Sequence, residues 1–266
     1  MLQSCLCTQA QLQSDIFQAW AARLGERPMR MHRKVWEFCY IAQALHERGM
    51  LAPGRRGLGF GVGQEPLPAL FAGLGCEVVA TDTDLAEAQA GGWVKEGMYA
   101  GSLARLSRPG LCDPLAFGVL VTFRVVDMRR LPSAGDLGEF DFVWSACSLE
   151  HLGSLAAGEE FLFGSLRYLK PGGVAVHTTE YNVGSNTATV TTGQSNIYRK
   201  KDLQRIAAKL RRRGYSVERF DWSEGSLPCD DRRIAEPYPW KGDVHLKLLL
   251  EGFVATSVGL IVRRPA

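Results

Sequence analysis

Apolar residues recur at helical spacing in "SDIFQAWAARLG" (14–25) and in "MHRKVWEFCYIAQALHERGM" (31–50). Trp36, Cys39, Tyr40 and Leu45 fall near one face of the second segment, and that stripe is expected in the core. Proline and glycine in "LAPGRRG" end it. An alternating pattern follows. It predicts a strand at 56–60, a glycine turn, a helix at 65–74, a strand at 76–82 and a helix at 84–95. Further strands are expected around 119–126, at 140–148 and in "VAVHTTEY", the last after a helix at 156–169 and the turn "KPGG". "KKDLQRIAAKLRRRG" reads as a helix opened by Asp202 and closed by Gly214, and strands at 215–222 and 252–263 finish the chain.

Strands that alternate with helices define an α/β domain with a mainly parallel sheet and helices on both faces. No helical crossover separates the last two strands, so the final strand is expected to run antiparallel beside its neighbour. The chain divides into an N-terminal helical cap (1–54) and a main domain (55–266). The main domain carries acceptor-side insertions near 183–201 and 223–250.

With 266 residues, 46% of them hydrophobic and 22% charged, the chain can build a full core. A net charge of +3 is too small to indicate a nucleic-acid partner. The basic clusters at 55–56, 200–201 and 211–213 read as solvated element ends. No apolar run reaches the roughly 18 residues of a membrane span, and the first 15 residues lack the layout of a signal peptide. Seven scattered cysteines (5, 7, 39, 76, 112, 147 and 229) point to free thiols and a cytoplasmic protein. Cys5-x-Cys7 has no second close pair to complete a zinc site, and no metal is expected.

"RGLGFGVGQEPLPALFAGLGCEVVATDTD" (56–84) carries the chemistry. Gly59, Gly61 and Gly63 lie between a strand and a helix, where glycine allows positive φ and lets a ligand approach the backbone. The helix behind them directs free N–H groups and a partial positive charge into the turn. Asp82 follows at the end of the next strand, where an acid accepts hydrogen bonds from ribose hydroxyls. Asp84 competes for that role but is better placed as a helix N-cap. The stretch therefore reads as a nucleoside-cofactor site. Its spacing is G-x-G-x-G, with Gln64 where a dinucleotide fingerprint has its third glycine.

"GLGFGVG", "VVATDTD", "VVDMRRLP", "FDFVWSACSLEHLG" and "LKPGGVAVHTTE" occur in the order and spacing of class I S-adenosylmethionine-dependent methyltransferases. The chain resembles their small-molecule, type 11-like branch over residues 55–182. The resemblance implies a Rossmann-like seven-stranded sheet and S-adenosyl-L-methionine as cofactor. It implies that Gly59, Phe60, Gly61 and Gly63 wrap the methionine part, and that Asp82, with Thr83 beside it, holds the ribose. It places Asp127 at the adenine amino group, Met128 beside the ring and Ser145 on the methionine side. The family often has an acid two residues before the first motif glycine. This chain has Gly57 there, and Glu65 or a residue of the N-terminal helices is the expected substitute.

Acceptor groups belong past the C-terminal ends of the fourth and fifth strands. Glu150 and His151 follow the fourth, and an imidazole suits general-base work; the alternative is that this pair only orders the turn. Glu180 and Tyr181 close the fifth strand and are substrate-contact candidates, with Glu180 and His151 the expected catalytic pair. His177 precedes the strand end and reads as structural. His32 and His245 could reach a covering lid. The polar insertion 183–201 and "EPYPW" in 223–250 suit an acceptor with hydroxyls, a sugar, glycan or secondary metabolite. Two other functions stay open: a nicotinamide-dependent oxidoreductase, and a non-catalytic module that binds S-adenosylmethionine.

Overall fold

The computed structural model describes residues 1–237, 242 and 244–266. Within it a twisted sheet is built from β1 (Ser4–Leu6), β2 (Arg56–Gly59), β3 (Glu77–Asp82), β4 (Val121–Val125), β5 (Phe140–Ala146), β6 (Leu169–Asn182), β7 (Phe220–Asp221), β8 (Leu248–Leu250) and β9 (Phe253–Arg263). The main path runs β7-β1-β9-β6-β5-β2-β3-β4. The four neighbouring pairs from β6 to β4 are parallel, and β9 lies antiparallel beside β6 with Gly259 opposite Thr178. The doubly wound, mainly parallel architecture with a reversed last strand is the one expected, except in strand count. With the two-residue pieces Ser216–Val217 and Glu236–Pro237 added to these nine, the sheet has 11 strands among the described residues rather than seven.

Two features make much of the difference. Residues 215–222 form two short pieces, Ser216–Val217 on β9 and β7 on β1. Strand β1 is inserted between β9 and β7, pairing Cys5 with Gly259 and Ser4 with Phe220. Three apolar or small residues near the start of a chain give no strand periodicity, so this insertion had no legible signal.

The helices that position the site are α1 (Gln9–Gln13), α2 (Asp15–Arg23), α3 (Arg33–His46), α4 (Leu67–Gly73), α5 (Leu85–Ala90), α6 (Pro114–Leu120), α7 (Ala134–Leu137), α8 (Leu155–Ser165) and α9 (Lys200–Arg212). The segment 14–25 begins as expected at Ser14, whose hydroxyl caps α2 through the Phe17 amide. The helix expected at 84–95 stops at Ala90, before two glycines. The first residues of the strand expected around 119–126 belong to α6. Asp202 caps α9 by accepting from the Arg199 amide, and Gly214 ends the turn at φ +87°.

Helix α3 packs across β5, β6 and β9. Its Trp36, Cys39, Tyr40 and Leu45 are fully buried, with Trp36 and Tyr40 stacked at 4.7 Å. On the opposite sheet face, Phe60, Phe161 and Tyr168 form a second aromatic core beneath α8. The predicted core stripe is therefore core. The same helix also turns Arg33 and Glu37 inward over the strand ends, which its apolar pattern did not announce.

Candidate active site

The glycine turn is built as its spacing required. Gly61 (φ +57°) and Gly63 (φ +49°) both take the left-handed conformation. A Cβ on Gly61 would lie 2.9 Å from the Ser148 side chain and 3.0 Å from Met128 Sδ; one on Gly63 would lie 2.6 Å from the Met98 carbonyl. The turn is a narrow cradle enclosed by Ser148, Met128 and the 98–100 segment. Ser148 Oγ donates to the Gly61 carbonyl at 2.9 Å, tying the loop after β5 to the turn after β2. Gly59 ends β2 against Trp144, and its Cβ would meet that indole at 2.4 Å.

Asp82 ends β3 beside this cradle and is buried. Its carboxylate accepts from the Thr83 amide at 2.9 Å and the Ala100 amide at 3.3 Å, and also from Gly63. Burial nevertheless pushes the Asp82 carboxyl above its ordinary value. A carboxylate offers about four acceptor positions, so these amides leave capacity for a ribose hydroxyl. Asp84 caps α5 through the Glu87 amide, as expected. The Val126 amide donates to the Asp82 carbonyl, which sets Asp127 on the adjoining strand end. There Asp127 is gripped by Arg129, which also reaches Glu87. Against the effect of its partial burial, those Arg129 bonds hold the Asp127 carboxyl below the usual range.

Two residues expected at the cofactor turn their side chains away. Side chains alternate across β5. Trp144 faces α4, and Ser145 faces α8. The Ser145 hydroxyl is buried and bonded to His177 Nδ1 at 2.8 Å, with Ser165 Oγ 3.3 Å from His177 Nε2. Ser165 already donates to the Leu162 carbonyl, so it accepts from His177 Nε2–H, and Ser145 donates to Nδ1. Burial pushes the His177 imidazole down to about 3. The Ser145 side chain thus serves the core rather than the methionine side, and His177 is structural. The Phe60 ring is likewise core, which leaves only its backbone at the turn.

The acid missing at Gly57 has a steric reason: a Cβ there would lie 2.3 Å from the Phe142 ring. Glu65, in the turn just before α4, is buried instead and accepts from Trp144 Nε1 at 2.6 Å. Burial raises its carboxyl to about 8, with Lys34 and Asp82 among the charges it feels.

At the ends of β5 and β6 lies a buried polar cluster. Arg33 Nη1 pairs with Glu180 and lies 3.7 Å from Glu37, which also binds Lys34 at 2.9 Å. Ser257 donates to Glu37. Glu150 accepts from Thr179 Oγ1 at 3.1 Å. Cys147, between them, has φ +47°, an uncommon backbone for a side-chain-bearing residue. Burial pushes its thiol well up. His32 and His245 stack at 4.2 Å beside Arg33, whose amide donates to the His245 carbonyl. Burial lowers both, to about 3 and about 4.

His151 stands apart from this cluster, half-buried near Trp93, with Nδ1 2.7 Å from the Gln194 carbonyl. A carbonyl only accepts, so Nδ1 carries a proton, and in the neutral imidazole Nε2 is then the nitrogen with the lone pair. Tyr181 stacks on Trp222 rather than joining Glu180. Insertion 183–201 folds back through Asn196, which donates to the Glu150 carbonyl, and exposes Thr187, Thr191 and Thr192. In "EPYPW", residues 238–240 lie outside the described residues. Sequence reasoning missed Arg33, Glu37, Cys147 and Thr179 as site residues. Only the charged pair 33–34 opening an otherwise apolar helix could have pointed to them.

A topological switch point in an open α/β sheet, with a glycine cradle and a buried acid on the next strand, defines a nucleoside-cofactor enzyme of the methyltransferase fold. A family model described as "Methyltransferase domain" matches residues 58–177. Over those residues the chain matches a methyltransferase domain of the class I, S-adenosylmethionine-dependent, type 11 kind. A search of curated proteins returned no match. Among solved structures, it is similar to magnesium protoporphyrin IX methyltransferase from Synechocystis PCC 6803 with bound SAH (14% identity, 96% of this chain and 97% of that one, TM-score 0.50). It is also similar to phosphoethanolamine N-methyltransferase 2 from Haemonchus contortus, in complex with phosphomonomethylethanolamine and S-adenosylhomocysteine (18% identity, TM-score 0.54). That alignment covers 94% of this chain but 57% of the other. No helix among the described residues is long and apolar enough to cross a membrane.

Proposed function

We propose that this protein transfers the methyl group of S-adenosylmethionine to a small polar acceptor bearing a hydroxyl, such as a sugar, glycan or secondary metabolite. The observation that carries the reading is the pairing of the Gly61–Gly63 cradle with buried Asp82 on the adjoining strand end. The cofactor supplies an electrophilic methyl on a sulfonium. The cradle binds its methionine part, Asp82 with Thr83 the ribose, and Asp127 and Met128 the adenine. Glu65 takes the ammonium that the family's missing acid would have held. Its raised, neutral carboxyl ionises when a cation arrives.

Methyl transfer is an in-line displacement, so the acceptor must be aligned and its proton removed. His151 is our proposed base, since its free Nε2 is fixed by the Nδ1 bond to Gln194. Glu180, held by Arg33, positions the acceptor from the opposite side. The exposed hydroxyls of insertion 183–201 support a hydroxylated acceptor. Seven free cysteines support a reducing, cytoplasmic setting. The N-terminal segment 1–54 acts as a cap through α3, while 55–266 forms the catalytic domain.

The test is incubation with isotope-labelled S-adenosylmethionine and a metabolite extract, followed by a search for a methylene mass gain. Calorimetry with the cofactor accompanies it. Nicotinamide binding without S-adenosylmethionine binding would replace this reading with an oxidoreductase. Cofactor binding without any methylated product would replace it with a non-catalytic module.

A further inference from the structure

Cys147, Glu150 and Glu180 each offer one donor atom, and these atoms all lie within 4.8 Å of one another. All three residues are buried. The two carboxylates share a pattern. In Glu150 one oxygen is held by Thr179, while Oε1 is buried with no hydrogen-bond partner. In Glu180 one oxygen is held by Arg33, while Oε2 is buried with no partner. Each carboxylate is thus fixed by an outer donor and presents a second, desolvated oxygen that nothing satisfies. Buried unsatisfied charge is costly and persists where a ligand or ion completes it. An outer partner that orients a carboxylate while leaving the other oxygen free is the arrangement that supports metal ligands.

The third donor is fixed by its backbone. Cys147 adopts its left-handed φ while its amide donates to both the carbonyl and the hydroxyl of Thr178, at 3.1 Å each. Strained backbone at a strand end, held by surrounding bonds, marks functional positions.

We propose that Cys147, Glu150 and Glu180 bind a divalent, zinc-type transition-metal ion. One sulfur and two carboxylate oxygens exclude the hard, oxygen-only ions and suit a borderline cation. Three protein ligands leave a fourth position open, as in catalytic rather than structural sites. The charges agree. With Cys147 as thiolate, the three donors and Glu37 carry four negative charges against Arg33 and Lys34, and a dication closes the balance. On binding, the Cys147 S–H bond breaks, its proton leaves to solvent, and sulfur keeps the electron pair for the metal. The ion's use in catalysis rests on the methyltransferase reading: an acceptor hydroxyl at the open position would lose its proton more readily. Its binding does not.

The test uses the full-length chain, stripped by a chelator and titrated with Co²⁺ as probe. One equivalent should bind, giving a near-ultraviolet thiolate-to-cobalt charge-transfer band, and Zn²⁺ should displace it. Cys147→Ser should abolish that band, and Glu150→Gln should weaken cobalt binding at least about tenfold. Thr179→Val, which keeps every ligand and removes only the outer bond to Glu150, should weaken it by a smaller factor. Circular dichroism checks that each variant is folded. S-adenosylmethionine affinity, measured on the same samples, reports separately on the cofactor reading. No saturable cobalt uptake by the wild-type chain overturns the proposal and leaves the two oxygens to a protonated amine. A charge-transfer band at full strength in Cys147→Ser overturns it equally, since another cysteine then holds the ion.

Discussion

Arg33, in the first turn of α3, pairs through Nη1 with Glu180 near the end of β6, and both side chains are almost wholly removed from solvent. The pair ties α3 to the end of β6. Removing one member of a buried pair leaves an uncompensated charge, which costs about 3–5 kcal/mol. Arg33→Ala should destabilise the fold by that order in urea unfolding. Arg33→Ala with Glu180→Gln should recover part of it, because the charge left behind is gone. Equal stability of wild type and Arg33→Ala would show that the pair is solvated.

Asp82 should control cofactor affinity. A charge-assisted hydrogen bond to ribose is worth about 1.5–3 kcal/mol. Asp82→Ala should weaken S-adenosylmethionine binding at least about tenfold by calorimetry. It also strips acceptors from the Thr83 and Ala100 amides, so Asp82→Asn is the cleaner probe: fold kept, affinity reduced. Unchanged affinity in both variants would remove the ribose from this strand end.

Gly61 tests the cradle itself. Its φ of +57° disfavours any side chain, and a Cβ there would lie 2.9 Å from the Ser148 side chain, so valine has no room. Gly61→Val should lose cofactor binding while far-ultraviolet circular dichroism keeps the signature of the sheet. Normal binding by a folded variant would make the turn purely architectural.

Glu65 gives a pH signature. Its folded value of about 8 lies above the ordinary glutamate value of about 4.3, so the folded state holds the extra proton. Its stabilising contribution is therefore complete below about pH 4.3 and is lost as pH rises through about 8. Relative to Glu65→Gln, which does not titrate, the wild type should lose about 1.4 kcal/mol per pH unit across that window. Chemical unfolding of both proteins at several pH values measures it; parallel curves would mean that Glu65 is ionised in the fold.

His151 carries the base assignment. A positioned general base contributes about 10²–10⁴-fold. His151→Ala should lower turnover by that order while S-adenosylmethionine affinity stays within a few-fold, since the proposed base would act on the acceptor and not on the cofactor. A near-normal rate would shift catalysis to the buried cluster beneath α3.

The sequence by itself determined the parts whose physics is local. Alternating apolar runs and glycine breaks set the α/β order. The Gly61–Gly63 spacing required a left-handed turn, and the distance to Asp82 followed from one helix and one strand. Asp84 as an N-cap was legible for the same reason: the Glu87 amide three positions on decided it. What only tertiary structure decided joins residues far apart in the chain. Ser145 looked like a cofactor residue until the pleat turned its hydroxyl to His177, 32 positions away. β1 became a strand only because β9 and β7 offered open edges on either side. The absent acid at Gly57 was visible in the sequence, but the Phe142 ring that forbids it was not. The cluster of Arg33, Cys147, Glu150 and Glu180 needed α3 to cross the ends of β5 and β6. Periodicity records which face of a helix is apolar, and it carries no information about which distant strand that helix will cover.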